Sequence, residues 1–188
     1  YTSSTFGFGI KHYVYSQGVK SSNNKYFQKF KTRGLELIIG DEIYINAQRE
    51  IYPTQQLHQY ALQVNLFVTK NIYLAGHTSF ASFGNAGAYA EGIIGLGYQT
   101  KSILKNNINF FTQVLSGAAG GGHISTGQGL IFKPSIGFNY RLNAKLSFRS
   151  SIGKVIARAG KIIAQDGPLN STSFNFGLNY RISFLTAN

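Results

Sequence analysis

From residue 173 to 184 apolar and polar positions alternate without a break. Phe174, Phe176, Leu178, Tyr180, Ile182 and Phe184 share one parity, and Asn175, Gly177, Asn179, Arg181 and Ser183 share the other. Successive side chains on a strand point to opposite faces, so this segment has one wholly apolar face and one of small and polar groups. The split recurs over 129–142, where Leu130, Phe132, Pro134, Ile136, Phe138 and Tyr140 oppose Lys133, Ser135, Gly137, Asn139 and Arg141. It recurs again over 146–155, and the short Asn143-Ala144-Lys145 turn makes these two an antiparallel pair. Residues 58–69 and 72–83 read as a second hairpin about Lys70-Asn71. Weaker, glycine-rich strands cover 88–100 and 108–116, and 5–15 sets Phe6, Phe8, Ile10 and Val14 on one side. Pro134 lacks an N–H and belongs at a bulge or a locally unpaired position.

Residues 26–52 read either as one very long strand or as two strands broken at Gly40-Asp41-Glu42. Loop lengths favour the break. If the last strand ends on the periplasmic side, the short turns at 70–71, 101–107 and 143–145 all fall there, and the longer stretches 117–128 and 157–172 fall on the other. That is the usual asymmetry of transmembrane barrels. A break at Gly40-Asp41 adds one more short turn and gives ten strands, an even number as bacterial single-chain barrels require. The expected fold is a single domain over 1–188, a closed antiparallel up-and-down transmembrane β-barrel. Ten strands are expected, or eight if the first segments are not part of the wall.

Composition narrows the class. Of 188 residues 43% are hydrophobic and only 13% charged, yet no run approaches the ~18 consecutive apolar residues of a membrane helix. A barrel strand needs only ~9–11 residues of alternating character. The absence of cysteine removes disulfides, thiolate metal sites and cysteine nucleophiles. A soluble barrel of the lipocalin or avidin kind also alternates, but its water-facing side would be dense in Lys, Glu and Asp, whereas the polar face here is Gly, Ser, Asn, Gln and scattered Arg. With no Met and a start at Tyr1, the sequence reads as a mature chain whose signal peptide has been removed. The final phenylalanine, Phe184, with Ile182 and Tyr180 at minus two and minus four, resembles the C-terminal strand signal of bacterial outer-membrane β-barrels. That resemblance implies a Gram-negative outer membrane.

The net charge of +12 invites a nucleic-acid reading. Its distribution argues against one, because the densest basic run, Lys20, Lys25, Lys29, Lys31 and Arg33, falls on an expected external loop. There the nearest polyanions are lipopolysaccharide phosphates, the expected partner together with membrane lipid and another outer-membrane protein. Parity directs Lys11, His77, Lys133, Arg141, Arg149 and Arg181 into the lumen against Glu36 and Glu91. The expectation is a charged network that braces the wall, with Arg149 or Arg181 on Glu91 and an anion-selective constriction as the functional alternative.

No cofactor or metal is expected, since the four histidines are scattered and no carboxylate cluster accompanies them. His123-Ile124-Ser125 resembles the His and Ser arrangement of outer-membrane lipid A deacylases, a family that also needs a carboxylate on the His; the next acid along the chain is Asp166. The stretch 117–122 is glycine-rich but lacks the Gly-Lys-Ser/Thr of a phosphate loop and reads as external. A structural or accessory role in a larger outer-membrane or surface assembly is therefore expected. A narrow channel, suggested by the architecture of small OmpW-like barrels, is the first alternative, and a lipid A-modifying hydrolase with His123 and Ser125 is the second.

Overall fold

The computed structural model describes residues 34–103, 107–158 and 167–182. They form eight strands: β1 (Leu35–Ala47), β2 (Gln55–Phe67), β3 (Ile72–Phe83), β4 (Ala90–Gln99), β5 (Ile108–Gly120), β6 (Leu130–Arg141), β7 (Leu146–Ala157) and β8 (Asn170–Ile182). Each pairs antiparallel with the next, and β8 pairs back onto β1 to close the barrel.

The eight-strand alternative is thus the one realised, and the ten-strand preference is corrected. β1 runs straight through Gly40-Asp41-Glu42, laddered to β2 on one side and β8 on the other. Gly40 stands directly against Gly177, and a Cβ on either would run into the facing strand's backbone. The glycine serves close approach at the closing seam rather than chain reversal. Likewise 117–120 belong to β5 and not to a loop, because Gly117 packs where a Cβ would meet the carbonyl of Gly92. The 5–15 segment, Lys11, the basic residues Lys20 to Arg33, and Phe184 all lie outside the described residues.

Register fixes the tilt. The outward row Phe110, Phe138, Ser150, Phe176, Asp41, Tyr60, Phe80, Ala90 steps once around the wall and returns to β5 at Gly120, a shear of ten residues. Strands therefore lean steeply, at the ~35–45° typical of barrels, and residues paired side by side stand at different heights. Between β6 and β7 the ladder skips from Phe132–Ile156 to Ser135–Gly153 with no change of register, the unpaired position expected at Pro134.

Both faces follow the sequence parity. Phe138, Phe174 and Phe176 are on the outside, in an exposed belt with Ile39, Leu62, Leu74, Phe80, Ile94 and Ile136. Tyr98, Tyr140 and Tyr180 mark this belt near the end that carries the short turns, an interfacial girdle of the kind barrels in bilayers show. Inside, toward the opposite end, Leu57, Ile93, Leu115, Ile131 and Val155 pack with Ala86, Ile124 and Leu169 from the loops. This apolar layer was not anticipated from a lumen read as polar. It exists because Ala86, Ile124 and Leu169 of the connections at that mouth pack over the side chains beneath and exclude water from them.

Candidate functional site

Two polar layers fill the lumen below the apolar one. In the first, the Lys133 ammonium donates to Glu42 Oε2 at 2.7 Å and to Glu91 Oε1. His77 Nε2 lies 3.3 Å from Glu42 and 3.1 Å from Glu91. The hydroxyls of Tyr44 and Tyr89 both donate to Glu91 Oε2, at 2.5 and 3.2 Å. Glu42, His77 and Glu91 bring three ligand atoms within 4.8 Å of one another, the span of a metal site, and the Lys133 ammonium stands between the two carboxylates as the cation there.

The second layer is a chain of hydrogen bonds toward the short-turn mouth. Arg181 makes a two-pronged pair with Glu36 Oε1 at 2.7 and 3.2 Å, and Asn65 donates to Glu36 Oε2. Gln63 donates to Asn65 and to Gln113, whose carbonyl oxygen also accepts from Tyr73 and Arg149. Arg149 donates to Asn139 as well, and its guanidinium lies 3.3 Å above the centre of the Phe111 ring. The cavity between the two layers, bounded by Glu42, His77, Gln113, Lys133 and Arg149 among others, measures about 10 Å³. That is room for a single water.

Glu36, His77, Glu91, Lys133, Arg149 and Arg181 thus all face inward as their parity requires, and Arg141 lies half-buried at the short-turn mouth. The expected partnership differs: Glu91 holds Lys133 rather than Arg149 or Arg181. Parity tells which face a side chain takes, whereas register and shear set its neighbours and its height, and across the closing seam Arg181 of β8 stands directly opposite Glu36 of β1. Glu42 was missed, having been read as part of a turn. Its alternation with Glu36, Ile38 and Tyr44 was the available signal.

The outer wall holds a feature that sequence reading also missed. Asp41 faces outward from β1 in the middle of the row climbing from Phe110 to Gly120, with four steps below it and four above. His58 Nδ1 of β2 lies 3.5 Å from its carboxylate, and the two side chains are 33% and 26% exposed for His58 and Asp41 respectively. Asp41 is the one carboxylate among the described strand residues on the outward face. Elsewhere on the wall an open apolar groove of about 610 Å³ runs between Tyr98, Phe110, Ile136, Phe138, Ile152 and Phe174.

At the long-loop mouth, buried Arg49 donates to the carbonyls of Asn85 and Gly122 and to Gln55, and it lies over Tyr52. Backbone bonds from Glu50 to His123, Ser125 to Gln48 and Leu169 to Ser125 stitch the loops together. His123 and Ser125 sit in this cap and are not hydrogen-bonded to each other. The Ser125 hydroxyl donates to the Gly167 carbonyl at 2.9 Å, while His123 points out toward Glu50, 3.9 Å away. The expected hydrolase pair is not assembled: Ser125 is buried and bonded to Gly167, while the His123 ring packs edge-on against Tyr52.

Together these define a closed eight-stranded β-barrel of the transmembrane type with a filled lumen and a capped mouth. No family model and no curated protein matches the chain. Among solved structures it is similar to a barrel from the de novo design of transmembrane β-barrels, with a TM-score of 0.54 and 11% identity over 81% of this chain and 98% of that one. It is also similar to neisserial surface protein A, with a TM-score of 0.51 and 10% identity over 79% and 97%. At such identity the likeness is one of fold.

Proposed function

We propose that the protein is an outer-membrane barrel with a structural or accessory role, acting through its outer wall and capped surface rather than through its bore. The observation that carries this reading is the filled lumen, in which described side chains from all eight strands interlock and the cavity between the ionic layers has room for one water. An exposed apolar belt of this extent would be penalised by water and is satisfied by hydrocarbon, which supports residence in a bilayer. The channel alternative would need a continuous wet path, and the apolar layer of Leu57, Ile93, Leu115 and Ile131 stands across it. The hydrolase alternative would need Ser125 free to be activated, and its hydroxyl is engaged with Gly167.

Planar-bilayer recording checks the reading. Purified barrel is expected to give no conductance steps, and Arg149→Ala is expected to give none either, since Tyr73, Gln113 and Asn139 remain around the vacated space. Stepwise conductance in the native protein, altered by Arg149→Ala, would replace the accessory role with a transport one.

A further inference from the structure

The Asp41–His58 pair is out of place on an apolar wall. An ionisable side chain facing hydrocarbon is costly, and one retained there needs a partner. Asp41 sits at mid-height, beyond the reach of lipid headgroups, and acyl chains offer its carboxylate no donor. His58 supplies one contact, but both side chains keep a quarter to a third of their surface open to the outside. The donors and the acceptor are also sorted by strand. Asp41, the acceptor, is on β1, and His58 and the exposed Tyr60, the donors, are on β2, with Tyr60 directly opposite Asp41.

A surface with acceptors on one strand and donors on its neighbour is complementary to itself. A two-fold axis parallel to the barrel axis and passing between β1 and β2 lays β1 of one copy across β2 of the other. Each Asp41 then meets the partner copy's donor strand at the same depth. We infer that the outer face of β1 and β2, centred on Asp41, His58 and Tyr60 and flanked by Ile39, Ile43 and Leu62, is the isologous interface of a homodimer within the membrane. This rests on the accessory reading above and specifies its first partner as a second copy of this chain.

The chain has no cysteine, so single cysteines report proximity without background. Full-length protein carrying Ile43→Cys, oxidised in its native membrane, is expected to form a disulfide-linked dimer. Ile136→Cys, on the exposed far side in β6, is expected to stay monomeric. Adding Asp41→Leu to the Ile43→Cys chain should lower the dimer yield about tenfold, the effect of losing two reciprocal polar contacts in a bilayer, while folding judged by heat-dependent gel mobility is retained. Monomer only, equal cross-linking at both positions, or a dimer indifferent to Asp41→Leu would overturn the homodimer. Capture of a different membrane protein at Ile43→Cys would also overturn it while leaving the accessory role standing. Conductance would remove that role independently of any cross-link.

Discussion

At the scale of single residues, the lumen shows how far alternation reads. Parity alone places Glu36, His77, Glu91, Lys133, Arg149 and Arg181 inside, because a closed wall has only two faces and a strand cannot change side without a bulge. It does not give the pairs. Lys133 meets Glu42 and Glu91 across 91 and 42 residues of chain, and that meeting depends on tilt and shear, which no single strand encodes. The cluster has a testable energetic consequence. Lys133→Met leaves Glu42 and Glu91 facing each other with only His77 between them, and such a broken buried pair costs about 3–5 kcal/mol. Urea unfolding of the folded barrel should show that loss. Combining Lys133→Met with Glu42→Gln and Glu91→Gln should recover most of it, since the uncompensated charge is then gone.

At the scale of elements, the error over β1 has a definite cause. Gly-Asp-Glu is reasonable turn chemistry when seen alone, and local sequence has no view of a strand waiting on each side. Gly40 and Gly177 are both glycine because β1 and β8 must approach closely where the barrel shuts. Hence Gly177→Val should weaken closure by about 1–3 kcal/mol, the cost of forcing extra bulk into a packed contact. The same change at Gly167, in a loop where a Cβ meets nothing, strains only the local backbone. The two variants are separated by the fraction that keeps folded mobility on an unheated gel across a urea series, with Gly177→Val unfolding at lower urea. Pro134, by contrast, was legible in full: a residue without an N–H can interrupt a ladder but need not shift it.

At the scale of the whole molecule, the two mouths differ. The short-turn end is ringed with tyrosine and opens on the Arg181–Glu36 pair, and the long-loop end is shut by loops tied together through Arg49. The sequence indicated 117–128 and 157–172 as long connections but not 48–54 or 84–89, nor that they interlock, because their ties run through backbone carbonyls that any residue possesses. Arg49→Ala removes those donors from the carbonyls of Asn85 and Gly122, a loss of about 1–3 kcal/mol per unsatisfied group. Protease cleavage within 121–129 should then quicken by about tenfold or more, while the strands, held by their ladders, resist digestion as before.

The lumen also settles where the protein's electricity lies. Lys133, Arg149 and Arg181 match Glu36, Glu42 and Glu91 one for one, so the network is formally neutral, and among the described residues the basic surplus belongs to side chains outside it, Lys70, Lys101, Lys145, Lys154 and Arg158 among them. Seen by its surroundings the barrel is a cationic particle with an electrically silent centre. Among the described residues, attraction to anionic matter is therefore left to exposed lysines and Arg158 of the skin, felt over about 8 Å in physiological salt and fading as salt rises.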